Sequence, residues 1–247
     1  GQYKTSYESD QHLFPILLLD LFLRRRGLNV VNLGCDIPID QMQATASGLK
    51  PDLIVLAAQT ITSAATLQQT FAQTYALGVP LAYGGLIYTR ISALRECLPA
   101  HYLGDSLQKA PAEIGNLLAS PQQKPMLQCP GEKYQDLISA FQKTRARIDL
   151  TLLQKSTDGQ LPFEFLNDAN DFFANGLIAS LQMGDPAYLE PDIHWLSWLL
   201  VKRDIPGDRL AIYLETYRDA VNMELGLLAA PITDWLTAFL TNLTAQQ

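Results

Sequence analysis

Short apolar runs that alternate with helical segments limit the folds open to the first half of this chain. In Leu53-Ile54-Val55-Leu56, apolar residues follow one another without the polar alternation of a half-exposed strand. Strands of this type are buried on both faces, as in a parallel sheet that helices cover. The pattern therefore predicts an α/β fold in which five strands form a doubly wound parallel sheet.

The predicted sheet is flavodoxin-like, with strand order 2-1-3-4-5 and a ligand crevice where that order reverses. The loops at 10–15 and 59–63, after the first and third strands, line this crevice. Glycines and polar residues separate the predicted elements, which are strands at 3–9, 28–33, 52–58, 80–83 and 100–103 and helices at 13–26, 40–49, 62–76, 89–97 and 111–118.

The second half of the chain has a wholly helical pattern. Prolines and polar residues crowd segment 120–132, which predicts a linker between an α/β domain at 1–119 and a second domain at 133–247. Because the connections in the second domain are short, we expect an antiparallel helical bundle. Its helices are predicted at 133–155, 162–182, 186–203, 207–226 and 232–243.

Composition limits the classes of binding partner and the cellular compartment that we expect for this chain. A net charge of −7 argues against binding to nucleic acid or to an anionic membrane surface, since both need a basic patch. The longest apolar run, near 16–23, contains Asp20 and is too short to cross a membrane. Three cysteines without metal-site spacing suit free thiols in a reducing, cytoplasmic compartment. The first residue, Gly1, suggests an excised fragment or the remnant of a tag.

A carboxylate and a histidine stand where the first predicted strand gives way to the first predicted helix. His12 has the chemistry of a metal ligand, because one ring nitrogen can bind the metal while the other gives its proton to Asp10. Two other readings stay open at this point. Asp10 suits an N-cap of the helix, and His12 suits a loop histidine that binds nothing.

Four segments of the first domain together resemble a cobalamin-binding domain of the methionine-synthase and light-sensing-repressor type. They are Asp10-x-His12, Leu33-Gly34-Cys35-Asp36-Ile37-Pro38, Gly84-Gly85 and Tyr102-Leu103-Gly104-Asp105. The resemblance implies that His12 replaces the cofactor's own base on cobalt, and that the displaced nucleotide tail enters the switch point of the sheet. The implied cofactor contacts there are Gly34, Asp36, Thr60, Thr62, Ser63, Gly84 and Gly85.

Two positions depart from the family pattern. Pro15 stands where the family has a glycine that lets the tail pass close to the first helix, and Pro15 also suits the first turn of that helix. Ala57-Ala58 stands where the family has a serine. A cofactor that lies on the top of the domain fits these changes better than a deeply inserted tail. For Asp36 an Asx turn or a helix cap is the simpler role, and Gly84-Gly85 also suits an ordinary turn.

A histidine and two tryptophans share one predicted helix of the second domain. In light-sensing cobalamin proteins, a helical bundle with an aromatic residue and a histidine covers the upper face of the corrin. His194, Trp195 and Trp198 resemble such a cover, because residues three and four apart share a helix face. The alternative is that the two tryptophans fill the core of the bundle.

The first functional hypothesis is a sensor or regulatory module that holds cobalamin between the α/β domain and the helical bundle, with His12 below the cobalt. Light, as in a photoreceptor, or exchange of the ligand would then change the packing of the bundle. We expect such a protein to be a sensor rather than an enzyme. A second hypothesis is a corrinoid methyl-carrier subunit. A third is a degenerate domain that has lost cobalamin and binds a linear tetrapyrrole (a bilin), or that acts as a protein-interaction scaffold, as a homodimer or with a partner protein.

Overall fold

The computed structural model describes residues 7–34, 39–126, 130–156, 163–203, 205–206 and 208–245. It divides into two compact units, residues 1–128 and residues 129–247, which we call unit 1 and unit 2. Each unit has its own core of apolar side chains.

Unit 1 combines helices with a small parallel sheet. Its described elements are helices α1 (Tyr7–Arg24), α2 (Ile39–Leu49), α3 (Ile61–Thr74), α4 (Leu86–Arg90) and α5 (Ala110–Ala119), strands β1 (Ile54–Ala57), β2 (Leu81–Gly84) and β3 (His101–Tyr102), and 3-10 turns at Tyr75–Leu77 and Ser92–Cys97.

The sheet has the order β1-β2-β3, and all of its pairs are parallel. Ile54 lies opposite Leu81, and Ala82 lies opposite His101. The central strand β2 is the most buried, with Leu81, Ala82 and Tyr83 at 1% exposure or less. This burial agrees with the apolar residues at successive positions of β2, because a strand covered on both faces needs them. In β1, which holds Ile54-Val55-Leu56, only Ile54 is buried.

The predicted five-stranded, doubly wound sheet is wrong. The three strands that the structure describes correspond to the third, fourth and fifth predicted strands, and segment 28–33 pairs with none of them. Within that segment Leu28 and Val30 pack against the cluster around Leu23. The Arg24 guanidinium donates to the Val30 carbonyl at 2.6 Å, and so a side chain occupies an acceptor that a neighbouring strand would use.

The described part of the first predicted strand, residues 7–9, is helical. Residues 7–9 belong to α1, and residues 3–6 lie outside the described part of the chain. Tyr7-Glu8-Ser9 contains no β-branched residue, so local propensity offers little resistance to helix here. Pro15 consequently lies inside α1 instead of in its first turn.

Unit 2 consists of helices. Its described elements are α6 (Gln135–Ser156), α7 (Phe163–Met183), α8 (Glu190–Lys202), α9 (Asp208–Leu225) and α10 (Ala230–Ala245), with 3-10 turns at Pro130–Tyr134, Pro186–Leu189 and Gly226–Ala229. Helix α9 packs against α6 and α10. Aromatic side chains fill this interior, where the Phe173 ring lies 4.5 Å from that of Tyr217 and stacks at 6.4 Å with that of Trp235.

One stretch, Asp208–Leu243, is long and apolar enough to cross a membrane by length and composition alone, a test that buried core helices also pass. The turn Gly226–Ala229 divides the stretch into α9 and α10, which pack against each other. Leu214, Val221 and Leu236 are fully buried in this helix pair. These three side chains lie in the interior of unit 2, whereas only 28% of the most apolar window of the stretch is buried.

Candidate functional site

The loops that follow the three strands of unit 1 meet at one edge of the sheet. The carboxyl ends of parallel strands point the same way, and therefore β1, β2 and β3 bring segments 58–63, 84–86 and 102–105 to this edge. We call these three segments the sheet edge. The Gln59 amide oxygen accepts a hydrogen bond from the Leu86 backbone N–H at 3.1 Å and so joins the first two segments.

Gly85 allows two of these segments to touch. Its φ is +119°, a conformation that side chains other than hydrogen rarely permit. A Cβ built on Gly85 would lie 1.9 Å from the Ala58 carbonyl oxygen, whereas one built on Gly84 would meet nothing within 4 Å. The described geometry therefore requires glycine at position 85 for contact between backbone segments.

Three hydroxyl side chains stand at the start of α3. Thr60 and Ser63 form a capping box: Thr60 Oγ1 accepts from the Ser63 backbone N–H at 3.2 Å, and Ser63 Oγ accepts from the Thr60 backbone N–H at 3.0 Å. Thr62 Oγ1 lies 2.9 Å from Thr60 Oγ1, and Thr62 is exposed. Of the three, Thr62 offers its side chain to solvent at the sheet edge.

An acidic side chain after β3 gathers three donors. Asp105 Oδ1 accepts from Arg95 Nη2 at 2.8 Å, from Thr89 Oγ1 at 3.2 Å, and from the Tyr102 hydroxyl. The Arg95 guanidinium also lies over the Tyr102 ring, 4.2 Å from its centroid. The sequence analysis quoted Tyr102 and Asp105 only as part of a motif and missed Arg95 and Thr89. Their separation along the chain gave no local signal.

The charges in this cluster are fixed at neutral pH. The Tyr102 hydroxyl, as hydrogen-bond donor, holds the pKa of Asp105 below its usual range. Burial raises the pKa of Tyr102, and burial also raises the pKa of Tyr83 and of Tyr88 beneath it. Groups that keep one protonation state suit binding better than proton transfer, because a general acid or base needs a pKa near the working pH.

Asp10 and His12 belong to the backbone of α1. The prediction that they stand in a loop after a strand is wrong. Residues two apart on a helix do not face each other, so this backbone gives no support to a carboxylate that orients the neighbouring imidazole. Their role as partner and ligand of cobalt stays a prediction. Gly34 has a φ of +78°, and Asp36 lies outside the described residues.

His194, Trp195 and Trp198 all lie on α8 and are exposed. The exposed fraction is 50% for Trp195 and 57% for Trp198, so the alternative that they fill the core of the bundle is wrong. The His194 ring is 5.3 Å from the Phe239 ring, and the Lys202 ammonium lies 5.7 Å from the centre of the Trp198 ring. The core position that sequence reasoning assigned to these tryptophans is instead occupied by Trp235.

In the part of the chain that the structure describes, no three histidine, cysteine or acidic side chains are grouped as a metal site would require. No family model and no curated protein matches the sequence. Any functional assignment therefore depends on the geometry of the sheet edge and of α8.

Proposed function

We propose that this chain is a non-catalytic sensor or regulatory module that binds a tetrapyrrole at the sheet edge of unit 1. The observation that carries this proposal is the convergence of segments 58–63, 84–86 and 102–105 at the carboxyl end of a parallel sheet, the end at which open α/β sheets bind their ligands. The described strands follow one another in chain order, so the proposed site depends on these three segments and not on a reversal of strand order. At neutral pH Asp105 stays ionised and Tyr102 stays protonated and uncharged, which suits hydrogen bonding to a ligand better than proton transfer.

The hydrogen-bonding groups at the edge match the periphery of a tetrapyrrole. Such ligands carry carboxylate or amide groups around an apolar ring system. Thr62 supplies an exposed hydroxyl on the first turn of α3, where the positive end of the helix dipole favours an anionic group. Arg95 adds a positive charge that Asp105 holds in place.

The helical backbone of α1 gives no support to a bond between cobalt and His12. The residue lies within α1, and the loop that would bring it to the end of a strand is replaced by helix. We therefore propose a ligand contacted by the sheet edge without an axial histidine from α1. This favours a bilin, or a cobalamin that lies on the surface, over the methyl-carrier alternative, which needs that ligand.

Retention of pigment tests the proposal. Purified protein is incubated separately with hydroxocobalamin, adenosylcobalamin and biliverdin and then desalted, and its absorption spectrum is recorded. We expect one pigment to be retained by the wild type and by His12→Ala. Thr62→Glu should release it, because the longer, charged side chain repels the ligand's carboxylate groups from the edge. Gln69→Glu, an exposed change farther along α3, is the matched control.

Loss of cobalamin from His12→Ala, or its retention with an altered cobalt spectrum, would contradict the proposed site and restore the histidine ligand. Colourless protein in all three incubations would contradict tetrapyrrole binding and leave the scaffold hypothesis. The exposed aromatic surface of α8 gives that hypothesis a specific observation in its favour.

A further inference from the structure

Helix α8 is apolar on most of its surface, yet it leaves three large apolar side chains exposed. Its sequence, EPDIHWLSWLLVK, contains seven large apolar residues in thirteen, and of these only Ile193 is buried. A helix that is apolar on most sides is ordinarily enclosed by other elements. The side chains left most exposed are Trp195 at 50%, Trp198 at 57% and Val201 at 59%. We call these three residues the α8 surface.

We propose that the α8 surface is the contact through which two copies of this chain associate, with their α8 helices antiparallel across a two-fold axis. This inference does not depend on the tetrapyrrole proposal. The occupant is a second copy because the charges at the two ends of the helix make the exposed surface complementary to itself, as an isologous interface requires.

Charge complementarity comes from the two ends of the helix. The first turn of α8 carries Asp192, and its end carries Lys202 followed by Arg203. Glu190 lies in the same turn, but its carboxylate accepts a hydrogen bond from the Trp235 indole N–H within unit 2. An antiparallel pair places the first turn of one helix beside the last turn of the other, so that opposite charges meet at both ends. A parallel pair would instead bring like charges together.

The positions of the charged residues and the tryptophans around α8 agree with an antiparallel pair. At 100° per residue, Asp192, Trp195 and Lys202 all lie on the same side of Trp198. In an antiparallel pair related by a two-fold axis perpendicular to the helices, this side of one helix lies next to the same side of the other helix. Asp192 of one copy then stands at the rim beside Lys202 or Arg203 of the second, and the tryptophans lie at the centre.

The available area suits such a pair. Half exposure of two tryptophans leaves on the order of 250 Å² of aromatic surface per chain. With Val201 and the partly exposed leucines between them, two copies would bury roughly 1,000 Å², near the lower limit of specific interfaces. Central tryptophans surrounded by charged residues also match the usual arrangement of a core and a polar rim.

Sedimentation velocity on the full chain over a concentration series tests this proposal. We expect the wild type to reach twice the chain mass, with Trp emission shifting to shorter wavelength as it associates. Replacing Trp195 or Trp198 by Ala should raise the dimer Kd about 30-fold or more for each residue. Leu227→Ser removes a leucine that is 98% exposed but lies outside α8, and it should leave the Kd unchanged.

Charge reversal tests the antiparallel orientation. Asp192→Lys should weaken the dimer about fivefold, Arg203→Asp should do the same, and the double variant should recover most of the loss. A wild-type monomer at every concentration would overturn the proposal, and so would a dimer that survives both tryptophan substitutions. If the monomer's exposed tryptophans are quenched by added biliverdin, α8 is a ligand cover and the inference is also wrong.

Discussion

Replacing Gly85 with alanine tests the contact that closes the sheet edge. A Cβ at this position would lie 1.9 Å from the Ala58 carbonyl oxygen, whereas real Cβ atoms stay at least 3.0 Å from such an atom. The backbone must therefore move by about 1 Å, which breaks the 3.1 Å hydrogen bond from the Ala58 N–H to the Gly84 carbonyl. That bond contributes about 1 kcal/mol, and the φ of +119° costs a further 1–3 kcal/mol or so for alanine.

The expected loss is thus about 2–4 kcal/mol, a large share of the roughly 5–15 kcal/mol that stabilises a typical domain. Because all three tryptophans lie in unit 2, their fluorescence follows that unit, and hydrogen–deuterium exchange of β1 and β2 follows unit 1. We expect faster exchange in these strands, with the urea midpoint of tryptophan fluorescence unchanged. Gly78→Ala is the control, since its φ is +70° but its Cβ would meet nothing within 4 Å. Equal losses in the two variants would refute the close contact.

Three further predictions concern α1, unit 2 and the Asp105 cluster. Pro15→Ala should raise the free energy of unfolding of unit 1 by up to about 3 kcal/mol, because Pro15 lies inside α1. Urea unfolding followed by far-ultraviolet circular dichroism measures this change, and no gain would indicate that the helix begins at Pro15. Asp149→Asn should raise the free energy of unfolding of unit 2 at pH 7 by up to about 1 kcal/mol, measured by urea unfolding with tryptophan fluorescence, because Asp149 Oδ1 is buried without a hydrogen bond. Burial raises the pKa of Asp149, so that its ionisation opposes folding above that pKa, and a gain that persisted in acid would contradict this cause. Asp105→Asn should make the stability of unit 1 less sensitive to acid. A lowered pKa confers stability that is present above the ordinary carboxyl pKa of about 3.9 and is lost as the pH falls through the lower folded value. Identical acid unfolding curves for the wild type and the variant would contradict the hydrogen bonds to Asp105.

The sheet could be predicted from sequence only where local pattern and tertiary pairing agree. Leu53-Ile54-Val55-Leu56 is apolar throughout, and it forms part of β1 because β2 lies beside it. Segment 28–33 is almost as apolar, but whether it joins a sheet depends on which groups satisfy its backbone. Arg24 bonds the Val30 carbonyl, six residues along the chain, and the sequence pattern does not register such a competitor.

The candidate site was predictable in part for the same reason. The hydroxyls near Thr60 were found because they follow a strand and begin a helix. The pairing of Arg95 with Asp105 depends on how α4 and the following 3-10 turn fold back beside β3, which spacing alone does not determine. Helical periodicity found α8 and its tryptophans, but it does not state which face of a helix the rest of the domain will cover.

Hydrogen–deuterium exchange with and without saturating hydroxocobalamin or biliverdin locates the ligand on the chain itself. We expect slower exchange at 58–63, 84–86 and 102–105 with the pigment that the protein retains, and the same protection in His12→Ala. Protection confined to α1 and lost in His12→Ala, or no protection at the sheet edge with either pigment, would contradict binding at that edge.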